Sequence, residues 1–378
     1  MLIFFITFFS FYAISNYYVF SKTYPLLPDN WLIKFFYCII FGLVVVAYVL
    51  SRALNNYLSN FIYEFWLTIG AIWFAFLAYL ILTLLIIDIL LIFNKLLKFL
   101  PTFLFEIKNK RILALMIFSF ISTFLFLGNL NKRDIIINEL EVEIQKKKSN
   151  LDSLTIALAS DIHLSPIDGE KLLSKIVDKI NSINPDIILL AGDLVDDKSE
   201  ILIRHQIGKS FSRLKSKYGI FSINGNHEYI NGVESSVKYI EKLGIKMVRD
   251  TAIFIDNNFY IIGREDSVKF RFVGEHRKTL SDLVKELDFY PKILLDHTPF
   301  NLNEAIENNI DIQLSGHTHH GQIFPGNLIT PLIYEISWGY KKKANTHFYV
   351  TSGAGTWGPP VRIGSKSEIV KIKIKFVD

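Results

Sequence analysis

Hydrophobic positions are arranged in two different ways along this chain, and the change falls near residue 130. Before it come four nearly unbroken apolar runs: Leu2–Phe20, Trp31–Leu50, Phe65–Ile86 and Ile112–Leu130. Each is close to the ~20 residues with which a helix crosses ~30 Å of hydrocarbon. Runs such as Trp66–Ile86 have no polar face to turn toward water, which argues against a soluble helical bundle. The first run lacks the basic leader and small-residue cleavage site of a signal peptide. Tyr17, Tyr18, Trp31, Tyr63 and Trp66 sit near the expected span ends, where interfacial aromatics belong. The pattern therefore predicts a transmembrane region of about four helices over residues 1–130. A single carboxylate, Asp88, is read as the point where the third run leaves the bilayer, since an ion pathway needs partners.

After residue 130 the period shortens. Residues 131–151 read as a polar connector with alternating Ile and Leu, suited to a first strand. From there short β-rich runs alternate with amphipathic helical patterns. Strands are expected at Ile156–Ala159, Ile187–Ala191 and Gly219–Ile223, and helices at Gly169–Ile183 and Ile201–Lys215. Later strand-like runs are Ala252–Ile262, Lys292–Leu295, Ile312–Leu314, Thr346–Thr351 and Glu368–Val377. This alternation predicts a mixed α/β domain over 152–378 with a largely buried sheet.

Composition sharpens the division. The chain has 378 residues, 51% of them hydrophobic, and a formal net charge of +5. Only eight basic and four acidic side chains fall in residues 1–130, which leaves 33 basic and 32 acidic residues beyond. The second region is thus nearly neutral, so no nucleic-acid partner is expected. Lys95, Lys98, Lys108, Lys110 and Arg111 cluster between the third and fourth runs and favour a cytoplasmic loop there. That orientation puts the C-terminal domain outside the cytoplasm, although Lys132, Arg133 and Lys146–Lys148 pull the other way. The lone cysteine, Cys38, excludes an internal disulfide.

All nine histidines lie beyond residue 150, and six of them fall in short motifs placed after expected strands. Asp161-Ile162-His163 follows the first, with a carboxylate and an imidazole at i and i+2 that can share one cation. Gly192-Asp193 follows the second, in the run GDLVDD; here Asp196 and Asp197 are read as a solvated helix start. Gly225-Asn226-His227-Glu228 follows the third. Asp296-His297-Thr298-Pro299 and Gly316-His317-Thr318-His319-His320-Gly321 close two more. Structural histidines are usually solitary, and ligands of open α/β sheets gather at the carboxyl ends of strands. The five clusters together point to a metal site.

In order, D-x-H, G-D, G-N-H-E, a lone H and G-H-x-H resemble the signature of calcineurin-like metallophosphoesterases, over about residues 152–378. The closing run Ser352–Arg362 is similar to that of bacterial membrane-associated members. The resemblance implies a two-sheet sandwich flanked by helices. It also implies two divalent metal ions, Mn, Fe or Zn. Asp161, His163 and His319 would hold one and Asn226, His297 and His317 the other, with Asp193 bridging and His227 as the acid beside the substrate. His320 stands where many members of this branch have glycine, and the extra imidazole is expected either to crowd the site or, as the favoured reading, to face solvent. Glu228 stands where many relatives have aspartate. Arg362 is either a phosphate contact or a surface arginine.

The expected activity is hydrolysis of a phosphate ester or pyrophosphate by metal-activated hydroxide, with a membrane lipid among the candidate substrates. The alternatives are a phosphatase or phosphodiesterase acting on soluble small molecules, and an inactive membrane-bound metal- or phosphate-binding protein. Transport is disfavoured, because the membrane region lacks paired charges and broken helices.

Overall fold

A computed structural model describes the backbone of residues 2–378 and the side chains of residues 6–378. The chain divides into two units, residues 1–129 with 358–360, and residues 130–357 with 361–378.

In the first unit the apolar runs form long helices: α1 (Leu2–Thr23), α2 (Trp31–Ala53), α3 (Asn60–Leu97) and α4 (Ile107–Lys132), the last running into the second unit. Asn30 caps α2 by accepting from the amides of Leu32 and Ile33, and Ser59 caps α3. Among the described residues three helices, α2, α3 and α4, are long and apolar enough to cross a membrane. The expectation of four spans is corrected to three candidates. The second half of α1 carries Ser15, Asn16, Ser21 and Lys22, and two of these polar groups, Asn16 and Lys22, are engaged with α3. Trp73 Nε1 donates to Asn16 Oδ1 at 2.9 Å, and Lys22 meets Asp88 at 2.6 Å. Tyr18 also donates to Asp88, at 2.7 Å. Asp88 therefore has the partners that the sequence did not reveal, and α3 continues nine residues beyond it. The remaining faces of α2, α3 and α4 expose large apolar side chains such as Phe36, Ile40, Ile92, Phe120 and Phe126.

The second unit holds twelve strands. They are β1 (Ile136–Gln145), β2 (Ser153–Ala159), β3 (Ile187–Leu190), β4 (Ile220–Ser222), β5 (Lys246–Met247) and β6 (Thr251–Ile255), then β7 (Phe259–Gly263), β8 (Lys292–Leu295), β9 (Ile312–Ser315), β10 (Gly339–Lys343), β11 (Thr346–Val350) and β12 (Glu368–Val377). They form two six-stranded sheets, ordered β1-β12-β2-β3-β4-β5 and β10-β11-β9-β8-β7-β6. In the first, β2, β3, β4 and β5 run parallel; in the second, β7, β8, β9 and β11 do.

Strand alternation explains the layers. Leu154, Ile156, Leu158, Ile187 and Leu189 face the second sheet, against Ile261, Ile293, Leu295, Ile312 and Leu314. Ala157, Ala159, Ile188 and Leu190 face outward onto α5 (Gly169–Ser182) through Leu173, Ile176, Val177 and Ile180. A third cluster covers the outer face of the second sheet, with Leu280, Leu283, Leu302 and Ala305 on Tyr260, Ile262 and Leu294. The result is a two-sheet sandwich with helices on both sides. All four residues of β3 are buried on both faces, each contributing about 1.5–3 kcal/mol of transfer free energy.

Two local expectations give way. The single run Ala252–Ile262 is a hairpin, β6 to β7, joined by Asp256, Asn257 and Asn258; Asp256 and Asn257 both have positive φ, which lets the Asn258 amide close the turn on the Ile255 carbonyl. The helix expected over 201–215 is a short helix, Ser199–Arg204, then a 3-10 turn at Lys209–Arg213. Gly208, at φ +98°, breaks it.

Candidate metal centre

Parallel strands carry their C-terminal ends to one edge of each sheet, and the five motifs leave from those ends. Asp161 and His163 follow β2, Asp193 follows β3, Asn226 and His227 follow β4, His297 follows β8, and His317 and His319 follow β9. The loops are held in costly shapes. Five of the seven candidate ligands have left-handed backbone: Asp161 (+52°), His163 (+50°), Asp193 (+53°), His317 (+73°) and His319 (+49°). Non-glycine residues persist there only when the surroundings fix them, and such residues cluster at functional sites. Close approach also fixes two glycines. A Cβ on Gly225 would collide with the Asp193 carboxylate, and one on Gly316 with Ser160 and Asp161.

All seven candidate ligands come together. On one side, His163 Nε2 lies 3.0 Å from His319 Nε2, and His319 Nε2 lies 3.3 Å from Asp161 Oδ1. On the other, His317 Nδ1 lies 2.9 Å from Asn226 Oδ1. Asp193 stands between them, its Oδ2 3.9 Å from His163 Nε2 and 3.2 Å from His297 Nε2. Its second oxygen, Oδ1, accepts from the amide of His227 at 2.8 Å. Asp161 is fully buried and accepts from the amide of His317. His297 Nδ1 lies 2.7 Å from the carbonyl of Ala191, so Nδ1 carries a proton and Nε2 faces Asp193; burial disfavours the charged ring, but Asp193 prevails and holds it well above its ordinary value.

This set fits a pair of divalent cations. The groups Asp161–His163–His319 and Asp193–His297–His317 each bring three donor atoms within 4.8 Å of one another. His297 Nε2 and His319 Nδ1 are buried with no hydrogen-bond partner. Burial, then His163, pushes His319 well below its ordinary value, and burial with His297 lowers His317, so both are neutral donors. Burial alone would raise Asp193, but His297 and His227 outweigh it and hold the carboxylate well below its usual range.

His227 is placed differently. Its ring packs edge-on against His163, with centroids 4.6 Å apart, and lies 6.0 Å from the Trp357 ring. Its Nδ1 sits 2.8 Å from Asp196 Oδ1. Burial disfavours its charged form, yet Asp193 and Asp196 prevail and raise it to about 9.

Five residues differ from their sequence reading. Asp196 and Asp197 do not start a solvated helix: Asp197 is fully buried, and Asp196 turns inward toward His227 and His163. The clue was that Leu194 and Val195, which lead from Asp193 into Asp196, are apolar, and they are buried, which no solvated helix start would be. Arg362 is neither a phosphate contact nor a surface residue. It is 0% exposed and donates to the carbonyls of Ser352, Gly353, Gly355 and Lys366, all within 3.1 Å. His320 is half-buried, its ring 4.8 Å from that of Trp338. Glu228 is more than a mild exchange. Its carboxylate accepts from the amides of Asp193, Leu194, Val195 and Gly225 and so pins two site loops together.

A family model described as calcineurin-like phosphoesterase matches residues 154–321. A Danio rerio protein described as a transmembrane protein with metallophosphoesterase domain is 31% identical over 63% of this chain and 56% of its own length. An Aquifex aeolicus protein described as an uncharacterized metallophosphoesterase is 32% identical over 63% of this chain and 91% of its own. The chain thus spans little more than half of the Danio rerio relative. The crystal structure of a dimetal phosphatase from Danio rerio aligns with a TM-score of 0.32, at 11% identity, over 54% of this chain and 89% of that one.

Proposed function

The chain belongs to the calcineurin-like metallophosphoesterases, a family of metal-dependent phosphoester hydrolases, and from that premise we propose that it is a membrane-anchored dinuclear phosphoesterase. The observation that carries this reading is the position of Asp193, one carboxylate between two groups of candidate donors. Asp161, His163 and His319 would hold one divalent cation and Asn226, His297 and His317 the other, with Asp193 shared. Bound there, two cations would supply water activation at neutral pH and charge stabilisation for an in-line displacement at phosphorus.

The chain's own residues do the rest. Glu228 fixes the Asp193 loop against the Gly225 loop, and the Ala191 carbonyl fixes the His297 tautomer. His227, kept protonated by Asp196, donates its proton to the leaving oxygen. The substrate class is a phosphate ester or phosphoanhydride. Three membrane-crossing candidates in the same chain make a lipid its natural carrier, with the catalytic domain outside the cytoplasm.

The test is hydrolysis of bis-p-nitrophenyl phosphate by the full chain in detergent, stripped of metal and then supplied with Mn²⁺. Turnover should appear only with metal and fall steeply in Asp193→Asn. His227→Ala should harm an alkyl ester more than the aryl one, because p-nitrophenolate leaves without a proton. No turnover by a folded, metal-loaded chain on aryl or lipid esters would sink the proposal in favour of a binding protein.

A further inference from the structure

The segment Gln322–Tyr334, QIFPGNLITPLIY, contains no charged residue. It continues the His317–Gly321 loop directly and forms a helix, Gly326–Ile333, with no buried residue. Leu332 is 85% exposed, and Phe324, Leu328, Ile329 and Ile333 are exposed beside it. Both ends of this segment touch the metal centre's loops. Gln322 exchanges two hydrogen bonds with the backbone of Trp357, each 2.9 Å. Tyr334 stacks on Phe300, and its ring lies 6.0 Å from that of His317. The next residue, Glu335, pairs with Lys341 at 3.3 Å and Lys343 at 2.8 Å. These belong to a lysine triplet, Lys341–Lys343, on β10. A lysine-bearing strand is thus tied, through Glu335, to the chain just beyond an apolar, uncovered helix.

So many large aliphatic side chains on an eight-residue helix mark an interaction surface. Three features select the occupant. The same chain carries three helices able to cross a bilayer. Only three residues, Arg133, Asp134 and Ile135, separate the end of α4 from β1, a reach of about 10 Å. Any bilayer that holds α4 is therefore at high effective concentration for this unit. An aliphatic helix flanked by lysines also has the composition of an interfacial element on anionic lipid.

We infer that the helix Gly326–Ile333 seats in the acyl boundary of an anionic bilayer, with Lys341, Lys342 and Lys343 against the headgroup phosphates. The apolar side chains enter the lipid, and the loop bearing His317 and His319 is held at the interface, where a phosphorylated lipid presents its headgroup. The inference rests on membrane anchoring and not on the phosphoesterase reading.

The experiment uses the full chain in nanodiscs of phosphatidylcholine with or without phosphatidylglycerol. An environment-sensitive fluorophore is placed on Leu332→Cys in a Cys38→Ala background, and lipids carrying a shallow nitroxide serve as quencher. Lys238→Cys, on the exposed side of the helix Val233–Lys242, is the solvent control, and label on the native Cys38 of α2 reports anchoring. Quenching at Leu332 should exceed that at Lys238 at least about threefold and rise with phosphatidylglycerol. Quenching at Cys38 with none at Leu332 above the Lys238 level overturns the inference while anchoring stands. Absence of quenching at Cys38 as well removes the anchoring on which it rests. A probe at Leu332 that is shielded from water but not quenched by lipid identifies a protein partner or a second copy, and overturns it too.

Discussion

The imidazole of His227 meets the carboxylate of Asp196, Nδ1 to Oδ1, at 2.8 Å. That contact fixes the ring, leaves Nε2 as the nitrogen for chemistry, and with Asp193 raises the imidazole to about 9. Asp196→Asn removes the negative charge, so the imidazole gives up its proton more readily. On an alkyl phosphodiester, kcat should fall about 10–100-fold, since general-acid help is worth ~10²–10⁴-fold in all. The alkaline limb of kcat/KM should move to lower pH. A profile with an unmoved alkaline limb would mean that Asp196 only packs the ring.

Asp193 should matter to both cations and His317 to one. Elemental analysis of the purified chain is expected to give about two metal ions, in line with two-metal hydrolytic sites. His317→Ala should lose one of them, and Asp193→Asn should weaken both. Turnover of Asp193→Asn should drop about 10³-fold, the rate equivalent of several kcal/mol of lost charge stabilisation. Full metal occupancy in Asp193→Asn would refute its shared position.

Arg362 is a buried staple. Its guanidinium satisfies four carbonyls of the segment Ser352–Lys366, and burial lowers it to about 10 without neutralising it at pH 7. Arg362→Met leaves those carbonyls unpaired, which should cost about 3–5 kcal/mol. In calorimetry that corresponds to a Tm lower by roughly 10 °C for a unit of this size. Arg362→Lys should not rescue it, since one ammonium cannot reproduce the planar fork. A KM increase at unchanged Tm would instead return Arg362 to the role of phosphate contact.

What the sequence made legible followed from strong periodicity and from chemistry tied to strand ends. β8 and β12 lie where the pattern put them, and all seven candidate ligands converge because five motifs leave five parallel strands at the same edges. The losses have physical causes. Asp196 is polar by composition but turned inward by its apolar neighbours, and Glu228 acts through backbone amides that no spacing reveals. Arg362 bonds carbonyls rather than anions, so its charge misled. α1 reads as apolar by content, yet its second half spends its polar groups on α3 through Asn16–Trp73 and Lys22–Asp88.

Arg264 links two carboxylates, Glu304 at 2.8 Å and Asp296 at 3.1 Å, and Asp296 immediately precedes His297. Burial alone would raise the Glu304 carboxyl, but its bond to Arg264 prevails and lowers it below the ordinary glutamate value. A carboxyl depressed in the folded state contributes stability that is complete above its unfolded pKa, about 4.3, and is lost as pH falls through the folded one. Protonation also leaves Arg264 buried with one carboxylate fewer, which loosens the brace behind the His297 loop. Glu304→Gln should therefore lower Tm near neutral pH and flatten its decline on the acid side, as scanning calorimetry from pH 7 to pH 3 would record. In an Arg264→Met background the same substitution should change the acid slope much less, because the depression has lost its main cause and only the Leu280 amide and Arg277 still lower the carboxyl. An acid slope that Glu304→Gln steepens, or leaves as it was with Arg264 present, would show that this pair does not carry the acid sensitivity of the domain.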